Sequence, residues 1–397
     1  MRAMRWVAAA CLAAATAAPG ALSWDESATV DGVRWTVHVV RRGEIELGSD
    51  QKGKRALDAE VEGVLVIPRE LAGKSVTRIG NHAFAGMEGI TEVVFPDGLK
   101  NIGGEAFAGC TSLQRVVVPD SVSDMGDRAF AGCISLKEIV LGTNLWHLNE
   151  RAFEGCISLE RVEMRDQGRG LRLGARAFAD CTGLKQVDIP SRCESMGEEA
   201  FAGCTGLHEV VIQGRGPCAS LGMGRRAFAD CNHLERVTWE RSGCFVLEIR
   251  REDIPGCISS FRPVYARPGD AIDTFEGCTG IREVAINAVW PGQLGLAAVF
   301  PDAFGEIRRV TILDGSPHVP EGLFRGCAKL EEVVLPDSVT AIGADAFDGC
   351  DSLKSVKWPA GLREVDPNAL RGASIEEGPT VASGRPEDGA AETGEKH

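Results

Sequence analysis

Three sets of side chains in this sequence could carry chemistry: 14 cysteines, seven histidines and a surplus of carboxylates. Nine cysteines recur at one relative position, at Cys110, Cys133, Cys156, Cys181, Cys204, Cys231, Cys278, Cys327 and Cys350. A zinc site wants close pairs of the Cys-x-x-Cys kind, and a disulfide wants side chains that converge. Single thiols spaced 23 residues apart and pointing the same way suit neither, and Met87 fills the place once, as an apolar residue would. The set therefore reads as small buried free thiols packed beneath phenylalanine. Cys193, Cys218 and Cys244 stand off this column, a few residues past three successive strands. They read as core filling, with one disulfide among the three as the alternative.

The histidines are His38, His82, His147, His208, His233, His318 and His397, and none belongs to a His-Glu-x-x-His pair. His208 and His233 fall in neighbouring units at different positions and read as solvent-facing. Neither a Gly-x-Ser-x-Gly elbow nor a Walker loop is present, and no Asn-x-Ser/Thr sequon occurs. Asp plus Glu number 57 against 43 Lys plus Arg, for a net charge of −14. Among so many carboxylates no glycosidase pair stands out, and the acidic balance argues against a nucleic-acid partner, which would need a basic footprint. The expectation is a non-catalytic chain with no cofactor and no metal.

The elements that position these residues come from an internal repeat. Ala106-Phe107-Ala108-Gly109-Cys110 returns as Ala129-Phe130-Ala131-Gly132-Cys133 and as Ala152-Phe153-Glu154-Gly155-Cys156. Later copies centre on Phe178, Phe201, Phe228, Phe275, Phe324 and Phe347, with a first at Phe84 and a shortened one at Phe304. Leu follows three residues after each Cys and opens an alternating stretch such as Leu113-Gln114-Arg115-Val116-Val117-Val118-Pro119. Period-two alternation rich in β-branched residues predicts a strand, and Pro ends its pairing. A short apolar-Gly step, Ile102-Gly103 or Met125-Gly126, predicts a second extended piece before the next bend. No such unit buries its apolar face alone, whereas stacked units do, through columns of Leu, Val, Phe and Cys.

The strands open at Ile90, Leu113, Leu136, Leu159, Leu184, Leu207, Leu234, Ile281, Ile307, Leu330 and Leu353. The gap from Leu234 to Ile281 is twice the usual spacing, so a degenerate copy is expected there, around Ile254-Pro255-Gly256-Cys257. That makes about twelve turns.

The recurring Ile/Met-Gly-x-x-Ala-Phe-x-Gly-Cys-x-x-Leu pattern resembles the BspA-like leucine-rich-repeat proteins over about Val64 to Arg371. The resemblance implies a leucine-rich-repeat solenoid, export, and a role in adhesion or recognition. The fold expected is thus an α/β repeat: a solenoid with a parallel β-sheet and a small N-terminal β cap. Residues 1–23 read as a signal peptide, with Arg2 and Arg5 before an apolar stretch and Ala21-Leu22-Ser23 before a cut. Residues 24–63 read as the cap, 64–371 as the solenoid with an irregular part at 243–300, and 372–397 as a disordered acidic tail. No later stretch is apolar enough to span a membrane. The localisation expected is secreted or cell-surface.

Within each strand two residues point outward. The first outward column runs Glu92, Arg115, Glu138, Arg161, Gln186, Glu209, Arg236, Glu283, Arg309, Glu332, Ser355, and its signs alternate. It reads as a cross-strand charge ladder that fixes register. The second runs Val66, Val94, Val117, Val140, then Glu163 and Asp188. Four valines in a row predict an exposed apolar strip, and with Glu92, Arg115 and Glu138 beside them they form the candidate site for a protein or cell-surface partner. The irregular stretch, with Phe261, Arg262, Tyr265, Arg267 and Trp290, is the second candidate. A structural envelope or matrix scaffold without a specific ligand is the rival function.

Overall fold

The computed structural model describes residues 26–30, 33–41, 43–48, 55–57, 60–168, 170–214, 221–240, 273–287 and 295–373, with short pieces at 5–6, 245–247, 264–265, 375 and 378–379. Each repeat makes one turn of a β-solenoid. Its Leu-x-x-Val stretch enters a first parallel sheet and its apolar-Gly step enters a second. Equivalent residues pair across turns: Arg115 lies opposite Glu92 on one side and Glu138 on the other, and Asp124 lies between Asn101 and His147. About eleven turns follow one another, close to the twelve expected.

The missing turn is the degenerate copy. Strand Arg236–Trp239 pairs directly with Glu283–Ile286, and Phe228 stacks on Phe275 at 5.4 Å, so the double spacing is one turn carrying a long insertion. Residues 254–257 themselves lie outside the described residues, as does most of 243–272. The shortened copy also departs from expectation. Phe300, not Phe304, takes the buried slot, 5.0 Å from Phe275, at the end of the short helix Leu296–Val299. Phe304 begins a 3-10 turn and is only half-buried. Among the described residues this is the one α-helix; elsewhere the strands are joined by turns.

The core is a set of parallel columns. Phe84, Phe107, Phe130, Phe153, Phe178, Phe201 and Phe228 are fully buried, with successive centroids 5.0 to 5.3 Å apart and rings near parallel. Stacking at that spacing follows from the pitch of paired strands, about 4.8 Å. Beneath the rings each ladder thiol donates to the Phe carbonyl of the preceding turn, Cys133 Sγ to Phe107 O at 3.2 Å and Cys204 Sγ to Phe178 O at 3.2 Å. Cysteine thus fills a small apolar space and adds a second donor to a carbonyl that already accepts a backbone N–H of its own bend, as Phe107 O does from Cys110 N at 3.2 Å. Cys193 is buried in the second sheet, while Cys218 and Cys244 lie outside the described residues.

Two glycine positions explain the motif. The Gly after Ala-Phe-x sits in the left-handed region, with φ +71° at Gly109, +69° at Gly132 and +73° at Gly155. Asp180 and Asp230 replace it at φ 60° and 61°, which short polar side chains tolerate. The Gly of the apolar-Gly step is there for space, since a Cβ on Gly126 would meet the Gly104 nitrogen at 2.4 Å.

Ahead of the stack, Glu26–Val30, Val33–Arg41 and Glu44–Leu47 form an antiparallel ribbon, and Glu44–Leu47 then pairs parallel with Lys74–Ile79. This ribbon continues the second sheet, and Trp35 meets the first ring of the stack, Phe84, edge-on at 6.4 Å. The sequence segment read as a signal peptide lies outside the described residues except Arg5–Trp6, which pairs with Glu62 and Gly63. The tail lies outside them from residue 380.

The first sheet is broken once. Strands as far as Arg161–Met164 form one ladder and strands from Gln186–Ile189 form another. This is where Leu159 and Leu184 are 25 rather than 23 residues apart. Arg192, 2% exposed, closes the joint: Nε donates to Arg165 O at 2.5 Å and Nη1 to Leu145 O at 3.0 Å. Asp166 accepts from Ser191 Oγ at 2.6 Å and from the Arg192 amide at 3.2 Å. One side chain thereby ties together carbonyls of two turns.

Candidate functional site

The outward face of the first sheet is where the predicted site residues lie, in the predicted register. Arg115 Nε reaches Glu138 at 2.8 Å, Arg161 Nη1 reaches the other oxygen of Glu138 at 3.3 Å, and Arg309 bridges Glu332 at 2.8 Å and Glu283 at 3.6 Å. Arg236 meets Glu209 at 3.3 Å. The alternating column is thus a chain of ion pairs between neighbouring turns. Each is solvent-facing and worth well under about 1 kcal/mol, but together they penalise any slip that would bring like charges together.

The apolar strip is shorter than the sequence suggests. Val66, Val94 and Val117 are 46%, 44% and 37% exposed, whereas Val140 is 5% exposed. Val140 therefore does not belong to the exposed surface. Its neighbour in the next turn is Glu163, whose carboxylate is held by Arg161 at 3.3 Å and Arg165 at 3.1 Å. Arg165 also reaches back to Asp120 at 3.6 Å, so long side chains close over the sheet from this point. What remains is a three-turn apolar patch at the N-terminal end, bounded by Glu92, Arg115 and the Glu138 network. Pairing Val66↔Val94 sets the first two in line.

Among the described residues the column of thiols is buried. Burial pushes Cys110, Cys156, Cys204 and Cys350 up to about 12, and Cys133 and Cys181 well above their ordinary value. A thiol so held is neither a nucleophile nor a metal ligand near neutral pH. His208 and His233 do come together, with ring centroids 6.2 Å apart, and their Nδ1 atoms lie 2.6 Å from Gly206 O and Thr205 O. The second candidate region lies largely outside the described residues; of its named residues only the backbone of Tyr265 falls within them, in a strand pairing Val246↔Tyr265.

Sequence reasoning missed one exposed aromatic. Trp146 stands on the second sheet, 42% exposed, its ring stacked on His147 at 4.2 Å. The signal was available: Lys100 and Ser123 hold the equivalent place in the two preceding turns, so Trp breaks a polar column.

A family model for the BspA type leucine rich repeat region matches in six copies over residues 70–172, 170–248 and 302–378, more than half of the chain. No curated protein matches the sequence. Among solved structures, a leucine-rich repeat protein from Bacteroides ovatus is 23% identical, over 87% of this chain and 92% of its own, with a TM-score of 0.43. The T. pallidum leucine rich repeat protein is 26% identical over 50% of this chain and 87% of its own, with a TM-score of 0.43. A leucine rich cell surface protein from Faecalibacterium prausnitzii is 18% identical over 88% and 98%, with a TM-score of 0.37. The repeat, its stacked turns and the family match agree: this chain belongs to the BspA-type leucine-rich-repeat family.

Proposed function

We propose that this protein is a secreted or cell-surface recognition module that binds a protein partner through the N-terminal end of its first sheet, without catalysis. The observation that carries the reading is the three-turn strip of Val66, Val94 and Val117, exposed on rigidly paired strands and edged by charge. An apolar patch with a polar rim is what protein interfaces present. Repeat stacks of this kind serve as binding surfaces, and relatives of similar fold include one described as a cell surface protein. The signal-peptide pattern at residues 1–23 supports export, and the net charge of −14 disfavours nucleic acid. Among the described residues no helix is long and apolar enough to cross a membrane.

A photo-reactive amino acid placed at Val94, at Val117 and at Thr311 tests this on intact cells of the source community. The same partner captured from the first two positions and not from the third supports the reading. Capture only of further copies of the chain would favour a structural scaffold instead.

A further inference from the structure

We propose a second, separate binding site on the opposite sheet: a platform around Trp146 that takes a carbohydrate, with a pyranose ring laid on the indole. A large aromatic side chain standing clear of the core exposes apolar area that folding would otherwise bury, and such residues concentrate where ligands bind. Among the described tryptophans Trp146 is exposed, whereas Trp35 and Trp239 are buried and Trp358 is half-buried. Nothing in the repeat requires it, since Ser123 serves in the turn before.

The ring is also held in place. Its backbone N–H donates to Ser123 O at 3.2 Å and its carbonyl accepts from Arg172 N at 2.8 Å, which fixes the strand. His147 covers one ring face at 4.2 Å and 10°, so the exposed area falls on the other face and the ring edge. Among the described residues the indole N–H has no protein acceptor.

The surroundings are polar in the way a sugar demands. Asp124 lies in register with His147 and Asn101. Its Oδ2 accepts from Asn101 Nδ2 at 2.9 Å, while Oδ1 faces His147 Nδ1 at 3.9 Å. Arg172, in register with His147 on the other side, is oriented by Glu194 at 3.1 Å. Amide, carboxylate, imidazole and guanidinium groups thus stand in one column over four successive turns, a span of about 14 Å at the strand pitch, beside the exposed indole. A pyranose presents the matching pattern, an apolar C–H face ringed by hydroxyls that both donate and accept.

Isothermal titration of the mature chain with cellohexaose and with chitohexaose tests the site, with a polyproline decapeptide as the peptide control. At least one oligosaccharide is expected to bind, with affinity reduced at least tenfold in Trp146→Ala, partly kept in Trp146→Phe, and reduced in Asp124→Asn. Melting temperatures should be unchanged, because Trp146 is outside the core, and the Val94→Lys, Val117→Lys double variant should bind the sugar normally. Failure of both oligosaccharides to bind, binding that Trp146→Ala does not weaken, or binding of the decapeptide alone would each overturn the proposal.

Discussion

At the scale of single residues, the bend between sheets is governed by backbone handedness and by the thiols beneath it. Gly132 has φ +69°, and a Cβ built there meets nothing within 4 Å. Gly132→Ala should therefore destabilise through the left-handed backbone alone, by about 1–2 kcal/mol. Gly132→Asp should cost less, as Asp180 and Asp230 already occupy the equivalent place; urea unfolding of the two variants decides it. The thiols make a different prediction. Folded values near 12 stand above the ordinary 9.0, so the unfolded chain releases its protons first as pH rises. The stabilisation is fully present below pH 9 and is lost between pH 9 and about 12, at about 1.4 kcal/mol per unit for each thiol. Unfolding free energy should fall by several kcal/mol from pH 8 to pH 10, and Cys156→Ala should make that fall shallower. A flat profile would mean the thiols are not buried as described.

At the scale of elements, most of the architecture was legible because the repeat is written in columns. The spacing of Phe, Cys and Leu gives the first sheet, its register and the charge ladder, and a second extended piece in each unit; that these pieces pair into a sheet of their own comes from the structure. Three features were hidden for physical reasons. A doubled spacing looks alike whether it holds a decayed turn or an insertion, and only the direct pairing of Arg236–Trp239 with Glu283–Ile286 separates them. Phe300 takes the ring slot from Phe304 because a short helix shifts the chain, which no local pattern announces. Val140 is exposed by alternation yet 5% exposed in the fold, beside Glu163 and the ion pairs that Arg161 and Arg165 make with it, and alternation reports direction rather than cover. The joint between the two ladders is likewise invisible beyond a spacing of 25, though it hangs on Arg192. Arg192→Met should remove about 3 kcal/mol by leaving carbonyls of Leu145 and Arg165 without a donor, and hydrogen exchange should rise first at residues 161–173. Uniform exchange across all turns would show that the joint carries no special weight.

At the scale of the whole molecule, the stack is a rigid support whose two sheets offer different surfaces. The first presents an apolar patch at one end and a charge ladder beyond it, and the recognition proposed above falls at the end where Val66, Val94 and Val117 are exposed. The chain carries a net charge of −14, but the ladder's ion pairs are internal, so the surface beside the patch offers a partner little unpaired charge. Association should accordingly be weakly dependent on salt, unlike that of a basic nucleic-acid binder. The central claim is recognition through Val66, Val94 and Val117. It is tested most directly by the affinity of the photo-captured partner, purified, for the intact chain and for the Val94→Lys, Val117→Lys variant, with both melting curves recorded. Binding at least about a hundredfold weaker at an unchanged melting temperature is the predicted result; equal affinity in a variant that folds normally would contradict the account.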